Sequence, residues 1–145
     1  MKIFSFLLMT LVLMSCKNDI ELVSATKQKV IPGLKSVGSY SNYIFKVDVK
    51  SDTNIVIHKI LIVEDGSVFN PQPRIKKEKT AAYIDKITEK GTYFIEGSLR
   101  KGKFSLDEKS NLDTSNDKAI IYYTLNESEK KVEIKSFIKK IKTRR

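Results

Sequence analysis

Residues Tyr43–Gly66 read YIFKVDVKSDTNIVIHKILIVEDG, and two hydropathy patterns meet in them. In the first eight residues, Tyr43, Phe45, Val47 and Val49 alternate with Ile44, Lys46, Asp48 and Lys50. Successive side chains of an extended chain point to opposite faces, so this alternation sets an apolar face against a mostly charged one and predicts a half-buried strand. From Ile55 to Val63 the apolar residues fall on both faces, interrupted only by His58 and Lys59. A short run so rich in β-branched residues predicts a central strand covered on both sides. Asp65-Gly66 ends it with turn chemistry.

Working outward, Ser67–Lys79 carries Asn70-Pro71, Pro73 and the basic cluster Arg74, Lys76, Lys77 and Lys79; it predicts a loop crossing from one sheet to another. Thr80–Ile87 fits a strand, with a short helical turn as the alternative. TYFIEGSLRK (Thr92–Lys101) predicts a strand with Tyr93, Ile95 and Leu99 inward and Gly97 at a bulge or a close approach. Leu106–Asp117 is dense in turn formers and predicts a loop. Ala119–Leu125 and Lys130–Ile141 predict a terminal hairpin, a helix being the competing reading of its second arm. Upstream, Lys17–Ser39 has no sustained period and contains Pro32-Gly33 and Gly38; it predicts a tether that ends in an edge strand. Six or so strands without a long helical segment predict an all-β fold, an antiparallel two-layer sandwich. An immunoglobulin-like arrangement is favoured and a small barrel comes second. The intersheet disulfide and core tryptophan of antibody domains are absent, and Asp117 and Tyr122 stand one residue off the tyrosine-corner spacing.

The chain begins MKIFSFLLMTLVLMSCKND. Lys2 precedes the apolar stretch Ile3–Met14, which is broken only by Ser5 and Thr10. As a helix these twelve residues reach roughly 18 Å, short of the ~30 Å hydrocarbon core. The segment fits a removable signal rather than a permanent span. Leu13-Met14-Ser15-Cys16 resembles the lipobox of bacterial lipoproteins: an aliphatic residue three before the cysteine, a small residue just before it, then the cysteine itself. The resemblance implies cleavage between Ser15 and Cys16, a diacylglyceryl group on the Cys16 thiol and a further acyl chain, such as palmitate, on its amine. Two or three acyl chains meet the requirement for stable anchoring, whereas one binds only marginally. The implied organisation is a removed signal peptide over 1–15, a lipidated N-terminus and tether over 16–39, a sandwich over 40–141 and a basic tail over 142–145. Lys17, rather than aspartate, follows the cysteine, which in that family favours the outer membrane. Lys17-Asn18-Asp19-Ile20-Glu21 partly resembles the signal of surface-exposed lipoproteins, and the leaflet stays open.

Removing residues 1–15 leaves 130 residues, and losing Lys2 takes the formal charge from +10 to +9. Cys16 then has no second thiol to pair with, so the exported body relies on its core alone. His58 is the single histidine and lies within a strand, which leaves zinc sets and Ser-His or Cys-His pairs short of members. Ser98…Lys101, Ser115…Lys118 and Ser136…Lys139 match a Ser-x-x-Lys spacing without its companion motifs. Asp107, Glu108, Asp113 and Asp117 share one loop, where carboxylates are not held at a glycosidase separation and lack the order of a calcium loop. The basic runs remain: Lys139, Lys140, Lys142, Arg144 and Arg145 close the chain, and Arg74–Lys79 forms a second cluster. They suit anionic lipid or lipopolysaccharide. Nucleic acid is not supported, because no aromatic residue is interleaved with the terminal run.

These features predict a lipid-anchored envelope lipoprotein that is not an enzyme and takes no cofactor or metal. Its small sandwich would serve a protein or glycan partner or a structural accessory role. The alternative is an inhibitor or immunity lipoprotein acting on a hydrolase that attacks the envelope. A +9 body repels a basic lysozyme, so this alternative requires an acidic target.

Overall fold

The computed structural model describes residues 20–34, 36 and 38–144, which hold eleven strands and no helix. The signal peptide, the Ser15–Cys16 cleavage site, Cys16 itself and Arg145 lie outside the described residues. The strands are β1 (Ile20–Ile31), β2 (Tyr40–Val49), β3 (Ile55–Glu64), β4 (Ser67–Pro71), β5 (Arg74–Lys77) and β6 (Tyr83–Ile84). They continue as β7 (Gly91–Ser98), β8 (Phe104–Leu106), β9 (Lys118–Leu125), β10 (Ser128–Ile134) and β11 (Ile138–Thr143). A six-stranded sheet runs β11-β1-β2-β7-β5-β6 and a five-stranded sheet runs β10-β9-β3-β4-β8. The fold is an all-β sandwich, antiparallel except where β1 lies parallel to β11. These strand orders do not confirm the immunoglobulin-like arrangement.

The period-2 pattern of β2 decides the packing. Tyr43, Phe45, Val47 and Val49 are all buried, and they meet Ile60, Ile62 and Ile121 of the opposing sheet. In register on the inner face, Ala25, Phe45, Ile95 and Ile75 form one row across four strands, a small residue beside the largest. The both-faced apolar run of β3 has its own reason. Ile60 and Ile62 enter the core, while Leu61, Val63 and Val68 form a second cluster under Leu112 and Tyr122. The turn-rich loop over 107–117 therefore acts as a cover for the outer face of the five-stranded sheet.

Four expectations are corrected. The edge strand expected at the end of the tether is the twelve-residue strand Ile20–Ile31, and it lies between β2 and β11 rather than at an edge. A bulge between Leu22 and Ser24 breaks its alternation, and backbone pairing on both edges holds it where hydropathy does not. Ser67–Lys79 does cross between sheets, but the crossing is confined to Gln72-Pro73, with β4 and β5 on either side. The strand expected over Thr80–Ile87 shrinks to β6 plus a bridge from Ile87 to Ile55. The hairpin is β9 with β10 only. After Ile134 the chain changes sheets, and Phe137 packs edge-on against Tyr43 at 5.3 Å and Phe45 at 6.5 Å. Thus β11, with Lys142 in it, belongs to the six-stranded sheet rather than to a free basic tail.

Gly97 marks a close approach, with β7 keeping unbroken register to β2 around it. A Cβ there would stand 2.9 Å from Pro71 Cγ. Gly97→Ala is expected to cost about 1–3 kcal/mol in chemical denaturation, the usual penalty of overpacking.

Towards one rim of the sandwich the inner positions turn polar. Lys27 pairs with Glu64 at 2.6 Å, and Ser41 Oγ donates to the same carboxylate at 3.2 Å. Asp117 lies 3.9 Å from Lys27 and accepts the Asp65 amide at 3.1 Å. This group ties β1 to the end of β3. Beside it the Tyr43 hydroxyl is buried and makes no hydrogen bond of ordinary geometry among the described residues. Burial first, then the carboxylates of Glu64 and Asp117, hold its pKa far above the usual phenol value of 10. Below pH 10 the phenol is neutral whether the chain is folded or unfolded, and it adds no pH dependence. Above pH 10 the unfolded chain ionises and the folded chain does not, so stability falls, by about 1.4 kcal/mol near pH 11. Tyr43→Phe is expected to remove that share of the alkaline loss, read as the difference between melting curves near pH 9 and pH 11.

Candidate functional site

The outward positions of the six-stranded sheet carry a different composition from the rest of the surface. Gln28, Asn42 and Ser98 stand in one cross-strand row on β1, β2 and β7, short polar side chains in a lysine-rich chain. The neighbouring row is Thr26, Ile44, Glu96 and Arg74. Short side chains keep this floor low, and longer ones rise around it. The result is a concavity of about 780 Å³ whose lining includes Arg74, Lys76, Arg100, Lys103, Lys142 and Arg144 against, among the described residues, the single carboxylate of Glu96.

Each wall has a local cause. On β5, Ile75 is buried, which turns Arg74 and Lys76 outward. The Arg74 guanidinium lies 4.0 Å from the centre of the Tyr83 ring, a stacking contact that holds the fork in place. Lys76 pairs with Glu96 at 3.4 Å, and the Tyr83 hydroxyl donates to the same carboxylate at 3.4 Å. The one acid of the floor is therefore already engaged. On the opposite wall Lys142 stands in register with Val30, and the Arg144 amide donates to the Ile31 carbonyl at 2.9 Å, carrying the strand path one residue beyond β11. At one end, the Leu99 amide donates to the Ser41 carbonyl at 2.8 Å and the Gln72 amide to the Lys103 carbonyl at 3.2 Å. These bonds seat Arg100 and Lys103 beside the floor, with Arg100 6.0 Å from the Tyr40 ring.

Magnitudes separate the two walls. From β11 to β5 there are four interstrand steps, roughly 19 Å at about 4.8 Å each. That is about twice the Debye length at 0.1 M salt, so each wall acts on its own anionic group and not jointly on one. Among the described residues Lys103, Lys142 and Arg144 form no ion pair. Asn42 Oδ1 is buried in the floor without a hydrogen-bond donor among the described residues.

The two basic segments legible in the sequence thus meet on one face. Arg74 and Lys76 come from the first, Lys142 and Arg144 from the second. Lys140 shares the outward side of β11 with Gln28, while Lys139, aligned with Lys27, points to the other side. The floor residues Gln28 and Asn42, and the end residues Arg100 and Lys103, were not flagged by the sequence. The signal that finds Gln28 and Asn42 is an uncharged amide at an outward position of a central strand; no comparable signal marks Arg100 and Lys103.

The other candidates stay apart. His58 is the extra residue at a bulge of β3, exposed and 3.2 Å from Thr124 Oγ1. Ser98 Oγ accepts the Arg100 amide at 3.2 Å, and Lys118 pairs with Glu133 at 3.6 Å. In the acidic loop Asp113 accepts the Ser115 amide at 3.0 Å, which lowers its pKa. Among the described residues no group of three or more His, Cys, Asp or Glu is placed to hold a metal ion. A recess of about 70 Å³ between the sheets, lined by Ile20, Leu22, Ile57 and other apolar residues, holds no more than about two waters and belongs to the core. Compared with known protein families and with curated proteins, the chain matches none of them.

Proposed function

We propose that this chain is a lipid-anchored envelope protein that binds: acyl chains on Cys16 hold it to a bacterial membrane, outer membrane favoured, and the concave face of the six-stranded sheet receives an anionic partner. The observation that carries the binding half is the convergence of six cations from separate segments around a floor of short polar side chains. A surface that was merely solvated would spread such charge; here it lines a concavity. The lipobox resemblance carries the anchoring half.

The test uses the full lipidated chain in neutral vesicles with fluorescent dextran sulfate as a generic polyanion. Binding is expected at about 0.05 M salt and is expected to weaken strongly at 0.5 M, as screening shortens the Debye length. The double variant Lys142→Glu with Arg144→Glu is expected to lose at least about tenfold in affinity, equal to 1.4 kcal/mol. Both positions are exposed, so its melting temperature should stay near that of the parent. Equal binding by parent and variant would remove this face from the reading. Deleting β11 is not an equivalent test, because it strips β1 of a pairing partner.

A further inference from the structure

We infer that the ligand of this face is an acidic polysaccharide: a chain bearing carboxylate, sulfate or phosphate groups, laid across the strands with its anions on the two walls and its hydroxyls on the floor. This rests on the reading of the concave face as the binding surface and names the class of molecule that it takes. Five observations select the class. The walls stand roughly 19 Å apart along the sheet, so a lone anion reaches one of them and an extended chain reaches both. A planar bilayer surface touches the rims of a concavity and leaves its floor unused. The floor row Gln28, Asn42 and Ser98 offers amide and hydroxyl groups, which exchange hydrogen bonds with sugar hydroxyls in both directions.

The third observation is Asn42 Oδ1, a buried acceptor without a donor among the described residues. Phosphates, sulfates and carboxylates are acceptors only and leave it unpaired, whereas a sugar O–H donates to it. Oδ1 is itself fully buried, so the amide turns about its broad terminal torsion to present the carbonyl to that donor. The fourth concerns the aromatic rings. Nucleic-acid grooves offer free ring faces to bases; here the Tyr83 face is covered by Arg74 at 4.0 Å and the Tyr40 ring faces Arg100. An acidic peptide docks most readily by extending a sheet edge, and this face lies over β1, β2 and β7, whose edges are all paired.

The experiment compares five probes of matched length on the full lipidated chain in neutral vesicles: an oligogalacturonate long enough to span both walls, dextran sulfate, neutral dextran, polyglutamate and single-stranded DNA. At least one of the two acidic saccharides is expected to bind about tenfold or more tighter than polyglutamate and DNA at equal charge, and neutral dextran not at all. Asn42→Ala is expected to lose about fivefold for the preferred saccharide and clearly less for polyglutamate, whose side chains only accept. Which saccharide leads tells carboxylate from sulfate. Equal or tighter binding of polyglutamate or DNA overturns the saccharide class while the basic face stands. Failure of all four polyanions overturns the basic face as well.

Discussion

Phe45→Ala is expected to destabilise the sandwich by about 3–5 kcal/mol, a large part of the 5–15 kcal/mol that a domain of this size possesses. Phe45 is fully buried at the centre of the inner row, between Ala25 and Ile95, with the Phe137 ring at its edge. Truncation removes the transfer free energy of a benzyl group and leaves a cavity that Ala25 is too small to fill. Phe137 also loses one of the two rings that seat the crossing from β10 to β11, so part of the loss should appear as easier detachment of β11. Urea denaturation reads this as a lower midpoint at unchanged slope. The neighbour Ile44 faces outward, and Ile44→Ala is expected to cost at most about 1 kcal/mol. Equal losses at the two positions would contradict the period-2 reading on which the fold rests.

The second large effect concerns the proposed anchor. A chain grown with labelled palmitate is expected to incorporate label and to end as a protein of 130 residues starting at Cys16. Cys16→Ser removes the thiol that accepts the diacylglyceryl group. That variant is expected to carry no label and to retain all 145 residues, because cleavage follows lipid addition in the lipoproteins it resembles. Mass spectrometry of the intact chain reads both changes at once. Membrane fractionation alone is the weaker assay, since an uncleaved apolar segment keeps some hold on the bilayer. Labelling of the Cys16→Ser variant at the parent level would contradict the anchor.

What was legible in the sequence followed the range of the interactions involved. The alternation of β2 and β7 and the both-faced run of β3 are local consequences of burial, and they read correctly. The Asp65-Gly66 turn, with φ of 49° and 79°, is equally local. β1 escaped because a bulge shifts its pattern and because its inner positions near the rim are Lys27 and Lys29, which serve ion pairing or solvent rather than the core. β4 and β5 escaped because Pro71 and Pro73 read as loop, and because a four-residue strand with one buried side chain, Ile75, has no period to detect. The site was half legible. Both basic segments stood out as charge, but their meeting depends on the sheet order from β11 to β5, and hence on a pairing between the two ends of the chain. Charge runs report composition; only the register says which charges share a face.

The most direct test of the binding face is to map the ligand contact itself. The full lipidated chain in detergent micelles, with isotope-labelled side-chain amides and aromatic rings, is titrated with the acidic saccharide that binds it best. Shifts are expected at the amides of Gln28, Asn42 and Gln72 and at the Tyr40 and Tyr83 rings, with little change at Asn116 or Tyr122 on the five-stranded sheet and its cover. Shifts centred on Tyr122, on His58 or on the loop over 107–117, with Gln28 and Asn42 unmoved, would contradict the account.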